Sequence, residues 1–363
     1  MKSVETLSAI SFTLSLKNLS KDIAELNNEQ QSAAMIANHG FGLIFMKGLF
    51  NMPTIPTLFE VIVVATMSAG KSTVINALIG QELLHSGNEA TTATITRIHD
   101  KDNLKKFTGS AYGYQNELID RQETVDADVL KSWNADKSIK NIDLHGNIKA
   151  IRNIGQCEIV IYDTPGPNNS QDNSHEDLTM KIISDDQYGL ILYVLNATQL
   201  GVNDDKGLLE SICQSLQHNK QKKIMFLLNK SDQIDEEKGE TLKNTVINAY
   251  QYLSDIGFVN PQIIPVSAYF ALLANKVLQK SKLTRKERAD LVYEAFTLDD
   301  RFIINAVISP VLKRKVLNLN KEISRKQGVS RNSGYYTKKE LRRLYARSGF
   351  KLVSMILQKN LFH

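Results

Sequence analysis

Short apolar runs recur along the chain, and polar or glycine-containing segments separate them. Five runs have the length and composition of buried strands: Phe59–Val64, Cys157–Tyr162, Gly189–Leu195, Lys223–Leu228 and Ile263–Val266. Apolar residues at helical spacing follow the first run, in Thr73–Ile79. Apolar strands that alternate with helices predict an α/β fold with a central, mostly parallel sheet.

The first run leads into residues 65–72, which read Ala-Thr-Met-Ser-Ala-Gly-Lys-Ser. This segment predicts a P-loop, in which backbone N–H groups surround a phosphate chain, Lys71 supplies a positive charge and Ser72 ligates Mg²⁺. The strict pattern begins with Gly, and this chain has Ala65 in that place. The alternative is a strand-to-helix turn with a tight glycine, which explains Gly70 but not the Lys and Ser that follow it.

The second run ends in Asp163-Thr164-Pro165-Gly166. In P-loop GTPases an Asp at this place holds Mg²⁺ through water, and the N–H of the glycine contacts the γ-phosphate. The same residues also suit an ordinary Pro-Gly turn. The buried strand that precedes them favours the functional interpretation.

The run that ends at Leu228 continues into Asn229-Lys230-Ser231-Asp232. An Asp carboxylate accepts two hydrogen bonds from the N1–H and exocyclic amine of guanine, a donor pair that adenine lacks, so Asp232 predicts guanine selectivity. We expect Asn229 to brace the loop, Lys230 to lie along the base, and a backbone N–H of Ser267-Ala268 to meet the guanine carbonyl. Asn229-Lys230-Ser231 is also a glycosylation sequon, but the chain has no signal-peptide pattern to support that alternative.

Each motif follows a predicted strand, and open α/β sheets bind ligands at that edge, so we expect GTP binding. From about Phe59 to Ser267 the chain resembles the dynamin superfamily, particularly bacterial dynamin-like GTPases. The resemblance rests on four stretches: Thr66–Gly80, Ala90–Ala93, Asp163–Asn168 and Asn229–Asp232. It implies a three-layer P-loop GTPase domain with helical N-terminal and C-terminal flanks, which hydrolyses GTP to GDP with Mg²⁺.

The resemblance also implies roles for individual residues. Thr92 falls at the switch threonine that ligates Mg²⁺ and orients water, Ser68 at a serine near the leaving group, and Met67 where eukaryotic dynamins carry a water-positioning glutamine. The residues implied to be catalytic are Ser68, Lys71 and Thr92, and the implied metal ligands are Ser72, Thr92 and Asp163. The residues implied to bind nucleotide are Met67, Ser68, Ala69, Gly70, Lys71, Ser72, Thr73, Asp163, Gly166, Asn229, Lys230, Asp232, Ser267 and Ala268.

Members of the resembled family commonly dimerise across the nucleotide, which implies a homodimer through the GTPase face. Residues 197–205 are the candidate cross-dimer loop, with an ordinary solvated acidic loop as the alternative. Ala65 replaces the most flexible residue of the loop, and the methionine at residue 67 cannot position water. A GTP-dependent binding module with negligible hydrolysis is therefore the alternative to a GTPase. An adenine-using P-loop protein is disfavoured by Asp232.

The flanks divide the chain into an N-terminal helical segment, residues 1–57, and a GTPase domain, residues 58–363. The latter carries a basic helical insertion at about 280–345, which is either a solvated surface or a face for anionic membrane. Nucleic acid is disfavoured because few aromatic residues accompany these charges. Ser348-Gly349 is predicted to be a turn that opens the last helix. We expect the chain to lack a full stalk, so that either a partner protein supplies one or the chain is itself a fragment.

The 363 residues carry a formal net charge of +5, and 42% are hydrophobic, which is ordinary for a globular protein. The two cysteines, Cys157 and Cys213, have no metal-ligand or CxxC spacing, which favours a reducing compartment. No run of eighteen apolar residues occurs. We therefore expect a cytoplasmic protein, with a peripheral position at the inner membrane surface as the alternative.

Overall fold

The computed structural model describes residues 57–65, 68–85, 94–151, 157–164, 180, 183, 189–201, 203–218, 223–235, 239–293, 298–325 and 336–360. The chain divides into two compact units, Met1–Pro56 and Thr57–His363. All the described residues belong to the second unit, so the helix predicted within residues 1–57 lies outside them.

Nine strands of the described residues form one sheet. They are β1 (Thr57–Ala65), β2 (Ile95–Asp100), β3 (Thr108–Tyr112), β4 (Leu118–Gln122), β5 (Asn141–Gly146), β6 (Cys157–Asp163), β7 (Leu190–Asn196), β8 (Lys223–Asn229) and β9 (Ile263–Pro265). Their order across the sheet is β4-β3-β5-β2-β6-β1-β7-β8-β9. The five strands expected from the apolar runs are all present.

The five neighbouring strands β6, β1, β7, β8 and β9 are mutually parallel. Strands β2 to β6 lie on one side of β1 and strands β7 to β9 on the other, so β1 stands where the strand order reverses. In open α/β sheets the crevice at the carboxyl ends of the strands near such a switch point is the usual ligand site. The mostly parallel sheet predicted from the sequence is confirmed.

The other side of the sheet contains an extension that the apolar pattern did not reveal. Strand β2 pairs antiparallel to β6 and parallel to β5, while β3 pairs antiparallel to both β5 and β4. A short helix between β4 and β5 completes this extension. The whole extension, from β2 to β5, accounts for much of the 92-residue separation between Lys71 and Asp163.

The helices of the described residues are α1 (Lys71–Ile79), α2 (Ala127–Ala135), α3 (Asn203–His218), α4 (Leu242–Ile256), α5 (Ala268–Leu278), α6 (Arg285–Tyr293), α7 (Arg301–Asn305), α8 (Pro310–Arg325), α9 (Lys338–Arg347) and α10 (Phe350–Asn360). A 3₁₀ turn spans Ser231–Gln233. Helices α6 to α10 form the predicted C-terminal helical flank, and the predicted Ser348-Gly349 turn does precede the last helix.

Alternate residues of β1 pack into two separate hydrophobic cores. Val61, Val63 and Ala65 belong to one core, which includes side chains of α1 and α10. Ile62 and Val64 belong to the other, which includes side chains of α3 and α4. Because successive strand residues point to opposite faces, helices cover both faces of the sheet and the fold has three layers.

Within the part of the chain that the structure describes, no helix is both long enough and apolar enough to cross a membrane.

Candidate functional site at the carboxyl edge of the sheet

The predicted motifs converge on one edge of the sheet because their strands are parallel and in register. Ala65 of β1 lies opposite Val194 of β7, and Val63 lies opposite Asp163 at the end of β6. Asn229 of β8 lies opposite Asn196 of β7. The segments that follow β1, β6 and β8 therefore leave the sheet side by side.

The P-loop ends at Gly70, which has φ +88° and immediately precedes α1. A Cβ at this position would lie 2.6 Å from Asn229 Nδ2, so glycine is required both by the backbone conformation and by the close approach. Ser68 also adopts a left-handed conformation, with φ +61°, and its side chain is exposed. The described part of the loop thus forms a tight turn over the end of β8.

The start of α1 is suited to a phosphate group. Helices α2, α4, α5 and α9 begin at residues whose side chains cap their N–H groups, whereas α1 has no side-chain cap and no acidic residue in its first turn. The first N–H groups of a helix have no acceptor within the helix and lie at the positive end of its dipole. An anion at this end would accept hydrogen bonds from these N–H groups and interact favourably with the dipole.

The departure from the P-loop pattern at Ala65 has little structural consequence. Ala65 is the last residue of β1, is 2% exposed and pairs with Val194 in the sheet. It is not among the residues with positive φ. The backbone here is ordinary extended strand that alanine adopts freely, so alanine imposes no conformational restriction at this position.

Lys71 and Asp163 meet at the mouth of the loop, where the Lys71 ammonium forms an ion pair with the Asp163 carboxylate. Both side chains are mostly buried, at 15% and 17% exposure. Ser72 and Thr73 follow on the first turn of α1 and are half-buried. The structure thus brings together the cationic and anionic side chains expected beside the outer phosphates.

Asn229 is the residue that joins the phosphate side of this edge to its base side. Its Nδ2 donates to the carbonyl of Ala69 at 2.8 Å, and its Oδ1 accepts the N–H of Ala268 at 3.0 Å. The side chain is buried, at 3% exposure. One amide therefore fixes the P-loop against the loop between β9 and α5.

Asp232 lies on the 3₁₀ turn next to that loop. Burial raises the pKa of its carboxyl, although a hydrogen bond from Ser267 and the positive charges of Lys230 and Arg301 favour the ionised form. Lys230 itself adopts a left-handed conformation with φ +62°, where the chain turns out of β8. This arrangement gives a carboxylate that is sheltered from water but supported by a hydroxyl and nearby cations.

The N–H groups of Ser267 and Ala268 already donate within the protein. That of Ser267 donates to the carbonyl of Ser348 at 2.9 Å, and that of Ala268 donates to Asn229. The Ser267 hydroxyl also accepts the N–H of Phe270 as the cap of α5. A contact between one of these N–H groups and a guanine carbonyl stays a prediction, and it requires a shared or exchanged hydrogen bond.

Several predicted site residues lie outside the described residues. These are Met67, Thr92 and Gly166. The candidate cross-dimer segment is described in part: turns span residues 197–201, and α3 begins at Asn203, so its acidic end is the first turn of a helix rather than a loop.

The donors expected for Mg²⁺ have the correct chemistry, since Ser72 offers a hydroxyl, Asp163 offers a carboxylate, and Mg²⁺ prefers oxygen ligands. Among the described residues no group of three or more His, Cys, Asp or Glu side chains could hold a metal ion. Phosphate oxygens and water normally complete such a site in nucleotide-binding proteins.

Two features that support the site were missed by sequence reasoning. Asn76 on α1 is fully buried and its side chain binds the backbone of Leu83 and Leu84, which holds the loop after α1. Lys276 on α5 is 8% exposed and pairs with Glu82 at 2.8 Å and Glu287 at 2.5 Å. A polar residue inside an apolar helical stripe was the only available signal for either.

A cavity of about 440 Å³ lies at the opposite edge of the sheet. It is bounded by the first residues of β7 and β8 and by side chains that include Phe258, Leu312 and Ile356. Because it is far from the strand ends that carry the motifs, it does not belong to the candidate site.

Comparison with known proteins finds similarity to one family over part of the chain. Residues 61–231, which are 171 of the 363 residues, match the model of the dynamin family. A curated relative, described as an uncharacterized protein in the xynA 3′ region of Caldicellulosiruptor sp. (strain Rt8B.4), is 23% identical over 277 residues. That alignment covers 76% of this chain and 63% of the relative.

Among solved structures, the chain is similar to an oligomerised bacterial dynamin pair described as sensing and tethering membranes over long range. The identity is 16% and the TM-score 0.47, over 89% of this chain and 50% of that one. It is also similar to Era in complex with MgGDPNP and part of 16S ribosomal RNA, with 16% identity, a TM-score of 0.34 and coverage of 67% and 68%. The chain spans about half the length of the dynamin it matches.

The matched residues contain the P-loop, Asp163 and the Asn229 segment, all of which lie at one edge of the sheet. Residues 61–231 therefore resemble the dynamin family in sequence.

Proposed function

We propose that this chain binds GTP with Mg²⁺ and hydrolyses it to GDP and phosphate. The observation that carries the proposal is the double contact of Asn229, which ties the P-loop to the loop beside Asp232. A single rigid edge thus offers a cationic, uncapped helix start for phosphates and a buried carboxylate for a base.

In this proposal the triphosphate lies against the start of α1, and the N–H groups of residues 69–73 and the Lys71 ammonium bind its oxygens. The ion pair between Lys71 and Asp163 separates when nucleotide binds. Lys71 then interacts with the outer phosphates. Ser72, Asp163 and Thr92 would hold Mg²⁺, which would neutralise charge on the transferring phosphoryl group. Ser68 lies near the bridging oxygen that carries the leaving charge.

The base lies between Lys230 and the loop that begins at Ser267. Asp232 must be ionised to accept hydrogen bonds from both guanine donors. Ser267 supports the ionised form because its hydroxyl donates a hydrogen bond to the carboxylate. Because burial raises the pKa of Asp232, GTP affinity should fall at mildly acidic pH, before an exposed Asp would be protonated.

The proposal is tested by phosphate release from GTP, measured with and without Mg²⁺ at several protein concentrations. We expect turnover that requires Mg²⁺ and is lost in Lys71→Ala, while the exposed Lys206→Ala keeps wild-type turnover. Folded wild-type protein that releases no phosphate at any concentration would contradict hydrolysis.

The alternative is a GTP-dependent binding module with negligible hydrolysis, and Met67 is the residue that favours it, since its side chain cannot position water. Ala65 gives this alternative no support, because it is an ordinary strand residue. Single-turnover hydrolysis that is faster than that of GTP in buffer would exclude the binding module.

The partners are also part of the proposal. Similarity to the dynamin family supports a homodimer through the GTPase face, in which case specific activity rises with protein concentration. A flat dependence would exclude the homodimer. The exposed Arg314 and Lys315 of α8 support peripheral contact with anionic membrane from the cytoplasmic side. Anionic liposomes should then stimulate turnover. A partner that supplies a stalk rests on the family resemblance alone, and we propose no nucleic-acid partner.

A further inference from the structure

The turn between α9 and α10 is pressed against the end of β9. Ser348 in this turn is fully buried, and its hydroxyl donates to the carbonyl of Tyr345 at 2.8 Å. Its own carbonyl accepts the N–H of Ser267 at 2.9 Å. The C-terminal helices therefore hold the backbone of the loop that begins α5.

Gly349 shows how close this contact is. It has φ +84°, and a Cβ at this position would lie 2.4 Å from the carbonyl oxygen of Pro265 and 2.9 Å from Val266 Cγ1. A backbone oxygen cannot move aside as the end of a flexible side chain can. Any side chain at residue 349 must therefore displace the segment that runs from Pro265 to Ser267.

That segment carries the groups that hold the base side of the candidate site. The Ser267 hydroxyl supports the carboxylate of Asp232. The carbonyl of Val266 accepts the N–H of Ser231 at 3.2 Å, directly beside Asp232 in the chain. A shift of the segment is thus transmitted to Asp232 both through a side chain and through the backbone.

We propose that the Ser348-Gly349 turn is a positioning element for guanine specificity, which fixes Asp232 through the Val266-Ser267 segment. This inference rests on the proposed function and extends it, since the turn lies well beyond residues 61–231. The turn does not contact substrate. It determines how well the Asp232 carboxylate is aligned with the two guanine donors.

This role predicts a loss of base discrimination rather than a uniform loss of nucleotide binding. The phosphate side is formed by Lys71 and the start of α1, whose buried side chains pack in one hydrophobic core with those of β1. GTP and ITP share the triphosphate, the N1–H and the carbonyl, and differ only in the exocyclic amine that Asp232 is expected to bind. The ratio of their affinities therefore reports the alignment of Asp232.

The experiment is a titration of the full chain with GTP and with ITP in the presence of Mg²⁺. Wild-type protein should prefer GTP by roughly 10-fold or more, the size expected of one charge-assisted hydrogen bond. Gly349→Ala should lower that preference at least about threefold, because a carboxylate displaced from good geometry loses much of the bond. ITP affinity should fall less than GTP affinity.

Gly257→Ala is the matched control. Gly257 also has a left-handed backbone, with φ +117°, but its Cβ would meet only Cys213 Sγ at 3.4 Å, an ordinary contact distance. This variant introduces similar backbone strain at the end of α4 and should keep the wild-type ratio of GTP to ITP affinity. An equal fall in the ratio of GTP to ITP affinity in Gly349→Ala and Gly257→Ala would overturn the inference.

Ser348→Ala tests the same turn without adding atoms, and it decides the matter if Gly349→Ala does not fold. It removes the hydrogen bond to Tyr345 and should lower the ratio in the same direction. A folded variant of the turn with a wild-type ratio would overturn the inference and leave GTP binding by the wild type intact. Wild-type protein that binds neither nucleotide would overturn the proposed function, and this inference with it.

Discussion

Asn229 illustrates how much of the site depends on a single side chain. It lies at the end of β8, where the pattern of buried apolar residues stops, and it uses both ends of its amide on neighbouring loops. The geometry of the P-loop relative to the base side therefore depends on this residue.

Asn229→Ala removes two buried hydrogen bonds and leaves the carbonyl of Ala69 without this donor. We expect the free energy of unfolding to fall by about 2–4 kcal/mol and GTP affinity to fall by roughly 10-fold or more. Denaturant unfolding and nucleotide titration measure the two effects. Asn196→Ala is the control, because Asn196 is as buried but holds only its own turn through Thr198 and Gln199. It should lose stability with a smaller loss of GTP affinity.

Ala65→Gly restores the strict P-loop pattern, but the structure predicts no benefit. The substitution removes a buried methyl group and adds backbone freedom in a strand, so stability should fall by about 1 kcal/mol. GTP affinity should stay within about twofold, because the backbone conformation does not need glycine. Thermal unfolding and GTP titration test this, and a clear gain in affinity would contradict it.

The buried carboxyl of Asp100, at the end of β2, makes the stability of the fold depend on pH. It is 1% exposed, and burial raises the pKa of its carboxyl to about 6. The hydrogen bond that the carboxyl accepts from the N–H of Ile148 acts in the opposite direction and lowers the pKa. The folded state therefore binds the Asp100 proton more tightly than the unfolded state does. This contribution to stability is complete below about pH 4 and is lost as the pH rises through 6.

Asp100→Asn should accordingly be more stable than wild type at pH 7, by about 1–2 kcal/mol, with the difference vanishing near pH 4. Urea unfolding at several pH values measures it. Asp120→Asn should show the opposite sign, because hydrogen bonds from Gln122 and Trp133 lower the pKa of Asp120. Its stability deficit at pH 7 should shrink as the pH falls. A pH-independent effect of Asp100→Asn would contradict this explanation.

At the scale of elements, the two helices that begin at the site are fastened to each other. Helix α1 starts at the P-loop and α5 starts at Ser267. Lys276 of α5 pairs with Glu82 just after α1 and with Glu287 of α6, and Asn275 donates to the carbonyl of Ala77 at 3.3 Å. These contacts fasten the C-terminal ends of the two helices to each other.

Lys276→Ala should lower the free energy of unfolding by about 2–4 kcal/mol, because it leaves a mostly buried carboxylate at Glu287 without its cation. Lys276→Met fills the same space and should cost less. The exposed Lys206 of the pair with Glu210 is the control, and Lys206→Ala should change stability by no more than about 0.5 kcal/mol. If Lys276→Ala and Lys206→Ala lowered the free energy of unfolding by the same amount, burial of the Lys276 ion pairs would contribute nothing to stability.

The elements also show what the sequence could and could not predict. Five strands could be recognised in the sequence as continuous apolar runs, because both of their faces are covered: β1, β6, β7, β8 and β9. Strands β3 and β4 belong to the extension at the sheet edge, where exposed residues such as Leu118 interrupt the pattern. Their pairing depends on contacts with β5, which local periodicity does not encode.

At the scale of the whole described unit, the site is assembled from segments far apart in the chain. The P-loop, Asp163 and Asp232 could be predicted because their spacing from strand ends carries chemistry. The supporting contacts of Ser348 and Gly349 could not, since a Ser-Gly pair indicates a turn but not the element against which it packs. The family match covers the P-loop and Asp163, ends one residue before Asp232, and does not reach Ser348 and Gly349.

The central claim is that Asp232 reads guanine at this edge, and a change of base preference tests it most directly. Xanthine has a carbonyl where guanine has its exocyclic amine, so an amide at residue 232 should favour XTP as the carboxylate favours GTP. We predict that wild type prefers GTP to XTP on the order of 100-fold, and that Asp232→Asn prefers XTP. A folded Asp232→Asn protein that still prefers GTP as wild type does would contradict the account.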